Sequence, residues 1–352
     1  MSIETTPTNL PSTERLENAI ELKEVEGLSQ GQIVRRRFLR HKGAIVGLIS
    51  ISFVALLAFT SIGVGPIPGW WKWDHAGLHP VANPGGAPTM HLPTWLGGTG
   101  FAIGDFPFGQ DTIGRDIFAR TMKGVQTSLI VMVIIGIIAT VVGIAVGATA
   151  GFFRGRTDQT LMRFTDLIIT FPVIVIGAVL GKLAGSGGAF WLAIALGLIT
   201  WTGMARLVRG DFLSLREREF VDAARVAGAS NVRIIRKHML PNAMGVIIVN
   251  ATLLMSAAVL LETALSYLGF GIKSPDVSLG TMISEYQSAF ATRPWLFWWP
   301  GLFIIVIALS VNFIGDGLRD AFDPRQRRIP SARRMQRALD AERVAATEEP
   351  KP

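Results

Sequence analysis

A single carboxylate in a long apolar run is the first residue here that demands a chemical explanation. Glu262 stands in VLLETALSYLG, where an ionisable side chain is costly unless it faces a water-filled cavity or finds polar partners. Two readings stay open for it: contact with a solute in an aqueous pathway, or a cap or pair with polar neighbours such as backbone amides of an adjoining loop. Asn250 and Asn312, also in apolar runs, read as hydrogen-bond glue between helices. Other chemistry is excluded by residue type and spacing. The chain has no cysteine, which removes disulfides and thiolate metal sites. His41, His75, His79, His91 and His238 are scattered, and neither HExxH nor GxSxG occurs. The nearest approach to a phosphate-binding loop, GAVLGKL at 177–183, has the wrong spacing and lacks the Ser/Thr. No catalytic residue, metal or cofactor is expected.

Two polar segments carry patterned charge. PFGQDTIGRDIFAR, residues 107–120, alternates Asp111, Arg115, Asp116 and Arg120 around Gly114. Asp116 and Arg120 have the i,i+4 spacing of a pair on one helix face; the segment reads either as a solvated helix start or as a docking surface. The second segment, RLVRGDFLSLREREFVDAARVAGASNVRIIRKHMLPN at 206–242, is the more informative. Ser214 with Glu217 three residues on is a capping-box signature. Phe220, Val221 and Ala224 then share one side, Gly228 breaks the helix, and a short basic helix over 232–239 leads to Pro241. The Ala223–Ala224…Gly228 stripe is small and flat, open to close approach by another protein. A generic amphipathic loop on anionic lipid remains the alternative.

The elements that hold these segments are membrane spans. Of the 352 residues, 49% are hydrophobic and only 17% charged, against about 25% charged in an ordinary soluble domain. The apolar residues come in blocks near the roughly 20 needed to cross a bilayer, at about 44–64, 128–150, 167–182, 189–206, 243–268 and 295–315. Backbone groups in lipid must be satisfied within each segment, so all six read as helices. The third and fourth are short and interrupted by Gly and Pro. The first follows 43 mostly polar residues and reads as a permanent anchor, not a cleaved leader. If the N-terminus is inside, 27 of the 34 Lys and Arg fall on inner segments, which puts both termini in the cytoplasm. The net charge of +8 is then a matter of topology, and no nucleic-acid partner is expected. Tryptophans at 70, 71, 73, 95, 191, 295, 298 and 299 lie toward the expected outer ends; Trp201 does not. The first outer loop holds seven Pro and ten Gly over 65–109, a composition of extended turns. The expectation is an all-α membrane protein with polar tails at 1–34 and 329–352.

DAARVAGASNVRIIRKHMLPN resembles the cytoplasmic signature of ABC importer permeases, Glu-Ala-Ala, three residues, Gly, nine residues, Ile, any residue, Leu-Pro. The matching positions are Asp222, Ala223, Ala224, Gly228, His238, Leu240 and Pro241, with Asp for Glu and His for Ile. RRFLRHKGAIVGL, FGQDTIGRDIFAR, GFFRGRTDQTLMRFTDLIITFP, LETALSYLGFGIKSPDVSLGTMI and NFIGDGLRDAFDPR resemble the C-type permease subunit of dipeptide, oligopeptide and nickel importers, over about residues 35–328. The resemblance implies a type I importer permease fold with a coupling loop at 207–242. It also implies a second homologous permease chain, one or two ABC ATPase subunits and an extracytoplasmic solute-binding protein. By analogy Asp222, Ala223, Ala224 and Gly228 meet an ATPase, Leu240 and Pro241 fix the return into the membrane, and Asp111, Gly114, Arg115 and Asp116 order the external loop. Short peptides are the expected cargo, with a nickel chelate or other small solute as the rival. A gradient-driven carrier would carry an inverted repeat and several charges near mid-membrane, and the sequence has no such repeat.

Overall fold

The computed structural model describes residues 30–91, 94–96, 100–184 and 188–322, and these are mostly helical. The tails expected at 1–34 and 329–352 therefore lie outside the described residues, apart from 30–34. The helices are α1 (Gln30–Arg40), α2 (Lys42–Ser61), α3 (Ile117–Phe153), α4 (Gly155–Thr170), α5 (Val173–Ala184), α6 (Gly188–Thr200), α7 (Thr202–Leu215), α8 (Glu219–Val226), α9 (Asn231–Tyr267), α10 (Leu279–Tyr286) and α11 (Trp295–Phe322). α1 is a short basic helix belonging, among the described residues, to a unit separate from residues 41–319.

α2, α3, α9 and α11 are each long and apolar enough to cross a bilayer, and the pairs α4–α5 and α6–α7 meet that test only as bent units, at 82° and 40°. The described residues thus hold four to six candidate spans. The first bend differs from the sequence expectation of one run over 167–182. Proline disfavours helical backbone in the residue before it, and Phe171, before Pro172, is extended at φ −91°, ψ 133°. Residues 167–170 consequently finish the amphipathic α4, and the apolar α5 starts afresh.

α3 is the hub. Along one face Gly143, Gly147 and Gly151 recur every fourth residue and bring α7 against its backbone. A Cβ at Gly147 would lie 2.4 Å from the Ala205 carbonyl, one at Gly143 2.6 Å from Met204 Cβ, and one at Gly151 2.7 Å from Phe212 Cβ. Small residues at this spacing permit the close van der Waals contact that drives helix pairing where water supplies no hydrophobic force. At the other end of α3, Ile117, Met122 and Val125 pack with Leu279, Met282, Leu296 and Ile307. Opposite faces of α2 (Val46, Ile49, Phe53) and α11 (Leu302, Ile305, Leu309) remain apolar and exposed, as helices facing lipid require.

The segment 62–116 is loop with little regular structure among its described residues: a two-residue antiparallel pairing of β1 (Gly63–Val64) with β2 (Ile67–Pro68) and isolated bridges such as Leu78 with Arg115. Aromatic stacking substitutes for a sheet. Trp73 stacks on Phe106 with centroids 5.5 Å apart, and Phe108 on Trp299 at 3.8 Å.

Candidate functional site

The loop at 206–242 is built on a buried floor. Val208, Phe212, Val221, Ile234 and Met239 are fully buried and form one cluster with Ala148 and Phe152 of α3. This packing explains a departure from the expected cap. Ser214 is not an N-cap: α7 continues to Leu215, because Phe212 and Leu215 both pack on the cluster, and tertiary packing outweighs a local capping preference. α8 starts instead after Arg218, whose side chain makes no cap bond. Glu217 accepts a hydrogen bond from Arg154 Nη2 at 2.6 Å, and that bond holds its carboxyl below the usual range.

Val221 alone on α8 is buried; Phe220, expected on the same side, is exposed. Asp222 and Ala223 are exposed and Ala224 half-buried. Asp222 pairs with Arg225 at 2.9 Å. α8 stops in a Schellman motif: Gly228 N–H donates to the Arg225 carbonyl and Ala229 N–H to the Ala224 carbonyl, both at 3.0 Å. Such a stop needs a left-handed residue, and Gly228 has φ +78°, with no atom within 4 Å of the place its Cβ would take. The stripe of Ala223, Ala224 and Gly228 therefore presents backbone at the surface, flanked by Val226 (90% exposed) and Val232 (57%). His238 and Leu240 are half-buried and Pro241 exposed. The short helix expected over 232–239 is continuous with the long one. Residues 234–239 take π-helical turns, Leu240 N–H reaching the Ile235 carbonyl, which accommodates the missing N–H of Pro241.

The segment 110–120 closes a second cluster. Asp111, 2% exposed, accepts from the backbone N–H of Ile113 and Arg115, from Arg115 Nε and from the Tyr286 hydroxyl. Gly114 (φ +88°) leaves no space for a side chain, since a Cβ would sit 1.9 Å from the His79 carbonyl. Arg115 and Arg120 both donate to Glu285 of α10. Asp116 does not pair with Arg120. It caps α3 by accepting from Phe118 and Ala119 N–H, and takes the Trp71 indole N–H at 2.6 Å. Burial pushes the Asp116 carboxyl up despite those bonds. The buried phenol of Tyr286 is likewise pushed up. Glu285 and Tyr286 had no signal in the sequence, for they stand about 170 residues from their partners and only α10 brings them back.

Glu262 is fully buried on α9. Ser128 of α3 donates to its Oε2 at 3.0 Å and Ser266 to its Oε1 at 2.7 Å. The polar neighbours are thus hydroxyls, not the loop amides themselves. Gly177 and Gly181 of GAVLGKL lie inside helix α5, where a Cβ at Gly181 would meet the Phe270 carbonyl at 1.8 Å; they serve close packing. Among the described residues no three His, Asp or Glu side chains are grouped to hold a metal ion.

The chain matches the family "binding-protein-dependent transport system inner membrane component" over residues 143–328 and the N-terminal TM domain of oligopeptide transport permease C over 29–69. It is 37% identical to the oligopeptide transport system permease protein OppC of Mycobacterium tuberculosis over 305 residues, 86% of this chain and 98% of that one. With the Escherichia coli K12 protein of the same name it shares 35% identity over 316 residues, 90% and 98% of the two chains. A chain of the MetNI methionine ABC transporter in inward-facing form is similar at 21% identity, over 57% of this chain and 95% of that chain, with a TM-score of 0.46. This chain belongs to the family of binding-protein-dependent transport system inner membrane components, in its oligopeptide permease C branch: a multi-pass transport component of the inner membrane, not an enzyme.

Proposed function

We propose that the chain is one of two permease subunits lining the pathway of an ATP-driven importer of short peptides. Residues 35–328 form the permease domain, with six spans when each bent helix pair is taken as one, and both termini are cytoplasmic. A second, homologous permease completes the pathway, one or two ABC ATPase subunits supply the energy, and an extracytoplasmic binding protein delivers the peptide. The relatives' names support the cargo; the energy coupling rests on the loop at 207–242. Asp222, Ala223, Ala224 and Gly228 contact the ATPase, His238 belongs to the same coupling segment, and Leu240 and Pro241 set the return into the membrane. Asp111, Gly114, Arg115 and Asp116 order the external loop.

The observation that carries the coupling role is the exposed stripe of α8, ending in an open left-handed glycine and standing on the buried Val221. Such a surface suits a shape-matched groove in a partner, because none of the described residues covers it. The test is uptake in cells lacking the chain and then supplied with it. Entry of labelled di- to pentapeptides, abolished by depleting ATP but not by collapsing the proton gradient, is the expected result. Restoration of nickel-chelate entry alone would overturn the peptide assignment.

A further inference from the structure

The Glu262 site is more than a buried carboxyl with the hydroxyls of Ser128, Ser266 and Ser278 around it. Each of these serines also accepts a backbone N–H: Ile272 donates to Ser266 Oγ at 3.1 Å, Leu279 to Ser128 Oγ at 3.4 Å and Thr281 to Ser278 Oγ at 3.2 Å. A hydroxyl has one proton. With that proton aimed at Glu262, the oxygen's lone pairs are turned toward the amide. Without an acceptor at 262, the Ser128 and Ser266 hydroxyls would each fall back on the carbonyl four residues earlier in their own helices, and the amides would lose their partners. Water is no substitute, since Ser128 and Glu262 are 0% exposed and Ser266 2%. Nor is there slack, because a Cβ at Gly271 would fall 2.2 Å from Ser266 Oγ and one at Gly280 2.8 Å from Ser266 Cβ.

Ile272 and Leu279 bracket the turn between α9 and α10. Leu279 is the first residue of α10, the helix whose far end supplies Glu285 and Tyr286 to Arg115, Arg120 and Asp111. We infer that Glu262 is a positioning residue: by orienting Ser128 and Ser266 it seats the 272–279 turn and α10 against α3 and α9, and through α10 it sets the place of the 110–120 segment. The carboxyl need not touch a transported solute to be required. The contacts form one series from the interior of α9 to the loop that leads into α3.

Thiol accessibility tests this directly, because the natural chain has no cysteine. A lone thiol is introduced by Val277→Cys, at a 7% exposed position in the turn, by Lys273→Cys, at an exposed one, or by Val221→Cys, at a buried one in the distant inner cluster. Maleimide labelling is followed on the full chain in membrane fragments open on both faces. Losing the acceptor for these buried hydroxyls should raise labelling at 277 by about tenfold or more in Glu262→Ala. A smaller rise is expected in Glu262→Gln, which keeps one acceptor oxygen. Labelling at 273 and 221 should not change. Because the carboxyl acts through Ser128, adding Ser128→Ala to Glu262→Gln should raise labelling by less than the product of the single effects. Unchanged protection at 277 in both Glu262 variants would overturn the inference. So would equal exposure at 221, which marks general loosening, or fully multiplicative effects of the two substitutions.

Discussion

Gly228 and Ala223 separate two ways in which a small residue can matter. Gly228 needs its left-handed backbone to end α8, while Ala223 is helical, exposed and free of any conformational demand. Gly228→Asn keeps a residue tolerant of positive φ and should leave peptide uptake within about threefold of normal, a residual strain of well under 1 kcal/mol. Ala223→Trp adds bulk with no backbone strain and should abolish uptake while the chain still inserts, as read by membrane fractionation. Normal uptake in that variant would detach the stripe from coupling. Asp116 makes a different case, since its role is capping and its burial disfavours the charged form. Asp116→Ala should lower stability by about 1 kcal/mol, the usual worth of an N-cap, and Asp116→Asn by much less. The sign of its pH dependence follows from the raised folded value. The contribution of this group is greatest in acid and falls as pH rises from the ordinary carboxylate value through the raised one. Thermal melts of the purified chain between pH 4 and 7 should show that fall in the natural chain and not in Asp116→Asn.

At the scale of elements the α3–α7 contact is the most sensitive. Gly147→Leu would drive a branched side chain into the Ala205 carbonyl, and overpacking of this kind costs about 1–3 kcal/mol or more. Its expected result is a markedly lower yield of folded chain by size-exclusion chromatography, with Ala145→Leu, on the same helix but outside the glycine stripe, as the tolerated comparison. The long helices and the halt of α8 at Gly228 were legible in the sequence, because apolar length and a glycine after an amphipathic turn are local signals. Pro172 was visible too, yet its consequence was missed: the apolar block runs through it, and only the backbone shows α4 and α5 as separate helices. Ser214 misled for the opposite reason. Its capping pattern was sound locally, but Phe212 and Leu215 gain more by extending α7 onto the inner cluster. Ser266 and Asp111 stand four residues from Glu262 and Arg115 and are local partners, but Ser128 for Glu262, and Glu285 and Tyr286 for Arg115 and Arg120, could not be read, since the tertiary fold alone brings them there.

For the whole molecule, the bilayer-length helices and the family together describe a multi-pass transport component of the inner membrane. In the proposed importer, where separate ATPase subunits supply the energy, that energy enters across α8. The orientation is open to a simple check: a C-terminal tag on the full chain should be digested by protease only in inside-out vesicles. The most direct measurement is gentle affinity purification of the chain from its native membrane, with identification of what stays bound. A second permease and one or two ATPases should be recovered, and the Ala223→Trp chain should retain the permease while losing the ATPases. A chain that came away alone and still carried peptide into vesicles without ATP would contradict the account.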